Sequence, residues 1–487
     1  MIPHALRFFL LGTALPLAVV GCKTNPNAGL SDVQRTVAAR TGHSLESPQN
    51  EKANEQADSL VRNLLSNPLT ADTAVQISLL NNRNLRATLK ELGVSRANVI
   101  QAGLPRNPEF AASFRFPDRP PSAADNEFSL SQDFLDLLLL PLKKRVAVAQ
   151  FEQTKLRVSH EVLQLVAEVK TACYTAQARQ QLAERLQAIV EVNEAGADLA
   201  TRQHKAGNIS DLELANQGAA FQEAKLEWGK TQAQLRADRE RLNRLLGLWG
   251  ENTQWTVADS LPAIPEKEVP VEHLESLAVT QRLDLAVADR QVAVAVYALN
   301  LRSKTRYLPS FVNIGVDTER TPDRQSVTGP TLDIELPLFD HGQAAIVRLQ
   351  AQYRLALNRR DALATDVRSE VREARDALIT ARDLAQFYAK IYLPQRIRIV
   401  NETLLQYDAM QKGTFELITA KERELSAERE YVEAWRDYWI ARAELEKAVG
   451  GKLDAEPGQT DPSHTLAPSD GVRGKSNQDH QHEHNHK

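Results

Sequence analysis

The side chains best placed for chemistry in this 487-residue chain stand at its far end, where His480, His482, His484 and His486 alternate with Gln481, Glu483 and Asn485. Imidazole suits zinc, copper and nickel. A short unstructured run can fold two or more such rings around one ion. Binding would weaken as pH falls through the histidine range near ~6.5, because the ligands must be neutral. The same run also reads as a polar solubilising tail. Elsewhere His43, His160, His204, His273 and His341 are scattered as surface or turn residues, and no P-loop, GxSxG or HExxH motif occurs. Carboxylates flank two breaks in long helical patterns: Asp211 and Glu213 beside 207–210, Asp408 and Glu416 beside 410–413. Asp408 and Glu416 are candidates for lining or latching a constricted entrance, against the alternative of solvated helix-end charges. No catalytic site is visible, no cofactor is required, and an enzyme is not expected.

These groups need elements to position them, and the stretch 109–134 sets what those elements are. Phe110, Ala112, Phe114 and Phe116 alternate with Glu109, Ala111, Ser113 and Arg115. Beyond a Pro-rich turn, Phe128, Leu130 and Phe134 alternate with Glu127, Ser129, Ser131 and Asp133, with Gln132 polar on the apolar face. The pattern returns in Val312, Ile314 and Val316, and again in Leu332, Ile334, Leu336 and Leu338. A period of two with one apolar face is a strand between unlike solvents. Each run is near the ~9–11 residues that a tilted membrane strand needs. Four strands cannot close, and an open edge in hydrocarbon leaves unpaired N–H and C=O groups. Copies must pool strands: two copies give a bore that side chains fill, whereas three give a twelve-stranded barrel that can carry water.

At the other end, His4 and Arg7 precede an apolar run, 8–20, too short to span a membrane, that reads as a secretory signal. The small residue before Cys22 resembles a bacterial lipobox, which implies cleavage after Gly21 and lipid on Cys22. Lys23 follows it, which in lipoproteins of the enteric type implies sorting to the outer membrane. Cys173, the second of two cysteines, then has no intrachain partner and reads as a small buried residue. A net charge of −4 shows no electrostatic footprint for nucleic acid.

The polar segment 23–68 suits a tether rather than a core. Thr70 or Asp72 can cap a helix running to about Gly103. Helical patterns follow over about 146–203 and 211–246, the second with a seven-residue seam of Leu214, Phe221, Trp228, Leu235, Leu242 and Trp249, and a parallel string of Ala219, Leu226 and Ala233. After a Pro-bearing linker the chain starts again. Leu85 is matched by Leu285, Asp136 by Asp340, Leu214 by Leu417, Leu242 by Leu445 and Gly247 by Gly450. That is a tandem duplication of helix, strand pair and long helix pair. The expected divisions are signal peptide 1–21, lipidated tether 22–69, first repeat 70–250, linker 251–270, second repeat 271–451, and a disordered His-rich tail 452–487.

Lipobox, duplicated strand pairs and paired long helices together resemble the TolC-type outer membrane efflux factors, over roughly 70–451. Leu79-Leu80-Asn81-Asn82-Arg83, the run 101–108 and the Leu245-Leu246-Gly247 ending look most like the heavy-metal efflux branch. Met410 departs from the pattern where the first repeat has Gly207, so the second turn is expected to use Gly413. The resemblance implies a mainly α protein whose coiled coils form a periplasmic tunnel, with four strands per protomer in a twelve-stranded trimeric barrel. It implies an outer membrane duct, passive, for heavy-metal ions such as copper, zinc or cobalt, with a periplasmic adaptor and an inner-membrane pump as partners. The alternatives are a drug or organic-solute duct, a type I secretion duct, or a structural coiled-coil envelope lipoprotein.

Overall fold

The computed structural model describes residues 27–453, apart from 47–49, 117, 120–123, 266–272, 322 and 324. The signal segment, Cys22 and the histidine tail lie outside the described residues. Two short helices, α1 (Leu30–Thr41) and α2 (Glu51–Leu65), lead into α3 (Ala71–Asn81), α4 (Arg83–Gln101), β1 (Glu109–Arg115), β2 (Asp125–Asp133), α5 (Phe134–Lys205) and α6 (Asp211–Leu246). The same order then recurs as α7 (Leu274–Gln281), α8 (Leu283–Lys304), β3 (Val312–Arg320), β4 (Ser326–Ile334), α9 (Gln343–Phe387), α10 (Leu393–Asp408) and α11 (Thr414–Val449). At 1.5 Å per residue the 72 residues of α5 reach roughly 108 Å, while the 36 of α6 return half that distance. The ends of α6 and α11 therefore meet the short helices at the middle of the molecule. Among the described residues no helix is long and apolar enough to cross a membrane.

That middle level is where the core sits. The largest buried cluster joins Val33 and Val37 of α1, Val61 of α2, Ile77 of α3, Leu92 of α4, Val158 to Leu182 of α5, and Leu242 and Leu246 of α6. The segment 23–68, expected as a tether, thus supplies core side chains, because the apolar residues of its two helices fall on one face. The expected single helix 70–103 is two helices. Thr70 forms a capping box with Thr73 at the start of α3, and Asn82 ends α3 while its side chain accepts from the Leu85 amide to begin α4. The break lets Asn81 and Asn82 reach the last carbonyls of α6. Asn81 Nδ2 donates to Leu246 O at 3.1 Å and Gly247 O at 2.8 Å, and Asn82 Nδ2 to Leu245 O at 2.8 Å. These are carbonyls that a helix end leaves without partners. Gly247 has φ 70°, and a Cβ there would stand 2.9 Å from Asn81 O. In the second repeat Arg282 holds the Asn82 position and donates to Ala448 O at 3.4 Å and to Asp284 at 2.6 Å.

The expected linker is also packed. Leu69 N donates to Thr256 O at 2.8 Å, Trp255 is buried with its Nε1 on Asn243 Oδ1 at 2.8 Å, and Pro262 O accepts from both Trp435 and Trp439 of α11. Two element starts differ from the sequence reading. α5 begins at Phe134 and runs through Pro141, because Asp133 caps it by accepting from the Asp136 amide at 3.1 Å. β4 begins at Ser326 rather than 331 and ends at Ile334, so Leu336 and Leu338 lie beyond it. Gly329-Pro330 reads locally as a turn, yet proline is tolerated on an edge strand. Of the α6 seam, Leu235 and Leu242 are buried and Phe221 and Trp228 half-buried against α5. The parallel string of Ala219, Leu226 and Ala233 is exposed on the far side.

Candidate functional site: the strand faces and the helix tips

The four strands form one antiparallel sheet in the order β1-β2-β3-β4. Its register aligns the alternating residues into rungs. Phe110, Leu130, Val316 and Pro330 form one rung, and Ala112, Phe128, Thr318 and Thr328 the next. Phe128 stacks on Phe110 at 6.4 Å and meets Phe114 edge-on at 5.6 Å. Phe110 is 67% exposed and Leu130 and Val316 54% each, a face that water opposes and hydrocarbon accepts.

The other face is acidic. Its rungs are Glu109, Ser131, Gly315 and Thr331; Ala111, Ser129, Asp317 and Gly329; and Ser113, Glu127, Glu319 and Val327. Glu127 and Glu319 are direct cross-strand partners. Arg115 stands on this face 3.3 Å from Glu127 and 3.7 Å from Asp125. At the lower rim Asp133 and Asp136 are met by Arg106, and Asp136 also by Lys143. Two carboxylates placed opposite each other repel, which costs stability in the sheet. They also set a negative potential wherever water passes over this face.

At the far end of the long helices lie the two tips. Ser210 caps α6 by accepting from the Glu213 amide at 3.2 Å, and His204 Nε2 lies 2.7 Å from Asp211 across the first turn. In the second turn Glu416 Oε2 accepts from the Gly413 amide at 3.0 Å, and its other oxygen lies 3.5 Å from Lys412. Glu416, read from sequence as an entrance residue, is thus engaged in closing the N-terminus of α11. Asp408 is the last residue of α10 and is exposed. The structure does not bring Asp408 and Glu416 into contact. Gly413 does not supply the left-handed residue of this turn, as the sequence suggested. Its φ is −83°, and Met410 takes φ 56° instead. The turn was set by its hydrogen bonds rather than by where glycine falls. Among the described residues no group of His, Cys, Asp and Glu is arranged to hold a metal ion.

Both the sheet and the helices end in unfilled edges. Among the described residues β1 and β4 each pair on one side only. The long helices form a row in which α5 lies between α6 and α11, and α11 between α5 and the α9–α10 arm. The outer members carry exposed apolar side chains, Leu212 and Leu226 on α6, Leu384, Leu404 and Leu405 on the arm.

The outer membrane efflux protein family matches residues 74–248, which hold α4, β1, β2, α5 and α6. Crystal structures of CusC superpose with a TM-score of 0.65 at 16% identity, covering 78% of this chain and 92% of that one. The family match lies within the first repeat, and the fold of the whole described chain is that of the solved outer membrane efflux channels. The CmeC outer membrane channel of Campylobacter jejuni matches the fold with a TM-score of 0.65 at 15% identity, over 85% of this chain and 91% of that one. The open MtrE channel of Neisseria gonorrhoeae matches at 0.62 and 16%, over 80% and 91%. Among curated proteins, the cobalt-zinc-cadmium resistance protein CzcC of Cupriavidus metallidurans is 22% identical over 391 residues, 79% of this chain and 90% of that one. Efflux channels of this fold are passive conduits, not enzymes, and work as trimers with an adaptor and a pump.

Proposed function

We propose that this chain forms an outer membrane efflux channel that conducts heavy-metal cations outward from a periplasmic adaptor and an inner-membrane pump. The observation that carries the reading is the acidic strand face, where Glu109, Glu127, Asp317 and Glu319 are set against Arg115. Three copies around one lumen would multiply that field and concentrate cations in it. The likeness to CzcC, whose name states cobalt, zinc and cadmium, points to the same cargo class. In planar bilayers under a salt gradient, the reversal potential should show cation preference, and Glu127→Gln with Glu319→Gln should lower it. Anion preference in the native channel would reject the reading. A host lacking its own channel should gain tolerance to cobalt, zinc or cadmium, with cognate pump and adaptor, and no gain would shift the reading to organic solutes.

The same proposal includes the parts outside the described residues. Lipid on Cys22 would anchor the trimer after removal of 1–21, and Cys22→Ser should abolish labelling with a radioactive fatty acid. His480, His482, His484 and His486 would hold a weak, exchangeable transition metal outside the lumen. Truncation of 480–487 should lower zinc and copper binding by calorimetry while the trimer persists. At the tip, exposed Asp408 would line the entrance, and unchanged conductance and selectivity in Asp408→Asn would remove that role.

A further inference from the structure

The first turns of α5 carry the two faces of β2 down into the helix. Phe134, Leu138 and Arg145, spaced by four and seven residues, share one side, which continues the apolar face of Phe128 and Leu130. Leu137 and Lys144, also seven apart, stand beside them. Asp136 and Lys143, bonded to each other, share the opposite side with the acidic strand face. Phe134, Leu137 and Leu138 are 47, 38 and 59% exposed. The run Phe134–Leu142 is thus apolar outward, and Lys144 and Arg145 end it abruptly with charge.

Arg145 opens onto a groove between α5 and α8, lined with Leu142, Tyr297, Asn300, Leu301 and Lys304. The lining holds two cations and no carboxylate. Among the described residues Lys144, Arg145 and Lys304 form no ion pair, and all three are exposed. The groove also lies inside one copy. α5 packs between α4 and α8, and α8 between α5 and α9. β1 follows α4 and β4 leads to α9, so copies that complete the sheet meet this row at α4 and α9 and leave the α5–α8 groove open.

We propose that this groove binds an acidic phospholipid of the membrane leaflet next to the periplasm, with Phe134 and Leu138 against its acyl chain and Lys144, Arg145 and Lys304 around its phosphate. The inference rests on the channel reading and is independent of the cargo. At about 1.5 Å per residue, Leu138 lies roughly 6 Å and Arg145 roughly 16 Å beyond Phe134 along the axis. Side chains tilt toward the N-terminus of their helix, which for α5 is the membrane end, so Lys144 and Arg145 reach back toward the bilayer. Apolar surface that gives way to cations over this depth matches the boundary between hydrocarbon and headgroup. Tyr297 adds an amphipathic ring of the kind that sits at that boundary. A free anion would meet the cations but leave Leu138 and Leu142 bare, and a lipid satisfies both.

Native mass spectrometry of the detergent-solubilised trimer, titrated with phosphatidylglycerol or phosphatidylcholine, is the test. The native trimer should prefer phosphatidylglycerol about tenfold, as two or more cations near an anionic headgroup imply. Arg145→Gln with Lys304→Gln should remove the preference, and Arg145→Lys with Lys304→Arg should keep it. Excess inorganic phosphate should not displace the lipid. Equal binding of the two lipids, a preference that survives in the glutamine variant, or displacement by phosphate would overturn the site while the trimer and its conductance stand. Failure of the channel reading would instead show as no trimer and no conductance in planar bilayers, and would remove the site with it.

Discussion

Gly207 and Met410 occupy the same place in the same turn. Ala206, Gly207 and Asn208 donate to Arg202, His204 and Gln203 at 3.2, 2.9 and 2.9 Å, and Ala409, Met410 and Gln411 donate to Leu405, Tyr407 and Gln406 at 3.1, 2.9 and 2.9 Å. Both central residues are left-handed, φ 76° and 56°. Glycine takes that conformation freely, whereas a side chain brings Cβ against the carbonyl at a cost of about 1–2 kcal/mol. Met410 is 94% exposed, so no packing offsets the strain.

Met410→Gly is therefore expected to stabilise the second tip by about 1 kcal/mol, and Gly207→Ala to destabilise the first by a similar amount. Urea unfolding of the detergent-solubilised trimer reads both. A destabilising Met410→Gly would show that the methionine makes contacts in the assembly that outweigh its strain.

Asn82→Ala removes both the cap of α4 and the donor to Leu245 O. The expected loss is about 1 kcal/mol, mostly the lost cap, because Leu245 O keeps the Ser78 hydroxyl at 2.9 Å. Asn82→Ser keeps a cap acceptor for α4 and loses the reach to Leu245 O, so it should fall between. Equal stability of all three by thermal unfolding would remove the clamp from the list of contacts that hold the middle level together.

Strand alternation was legible in the sequence because Phe110, Leu130 and Val316 meet a solvent that water-soluble cores never meet. The duplicated order was legible because both halves repeat the same apolar spacing and the same terminal glycine. The π turn at Tyr388–Tyr392 that separates α9 from α10, and the left-handed Met410, were not. A one-residue insertion at 388–392 does not disturb local helix propensity, and it becomes visible only when the offset between the repeats is compared above and below. Met410 was misleading for a related reason: methionine carries no turn signal, and the hydrogen-bond frame imposed φ 56° on it. The lost helix at Asn82 did carry a signal, two successive asparagines, but their target carbonyls lie over 160 residues away.

Asp284 gives the middle level an acid limit. Burial works against its carboxylate, but the hydrogen bond and charge of Arg282 outweigh it and hold the pKa below the ordinary 3.8. A carboxylate lowered in the folded state contributes stability above the unfolded value, and that contribution disappears as pH falls through the lowered one. Asp284→Asn should flatten the fall in unfolding temperature below about pH 4 and lower stability at neutral pH. An unaltered pH profile would deny the pair that role.

Cys173 is buried, and burial, with the nearby Asp72 charge, pushes its thiol up to about 12. The thiolate is the reactive form, so the folded chain should resist maleimide at pH 8 and label only on denaturation. Peptide-resolved mass spectrometry checks this, and rapid labelling of the native trimer would mean that α5 opens at its core.

The channel reading depends on neighbouring copies filling the edges of β1 and β4. Electron cryomicroscopy of the detergent-solubilised full chain, at a resolution that separates strands, measures this directly. The map should show three copies, twelve strands with β4 of one copy beside β1 of the next, and α6 of one copy against the α9–α10 arm of its neighbour. A particle in which β1 and β4 remain unpaired, or in which the apolar rung of Phe110, Leu130 and Val316 faces the lumen, would contradict it.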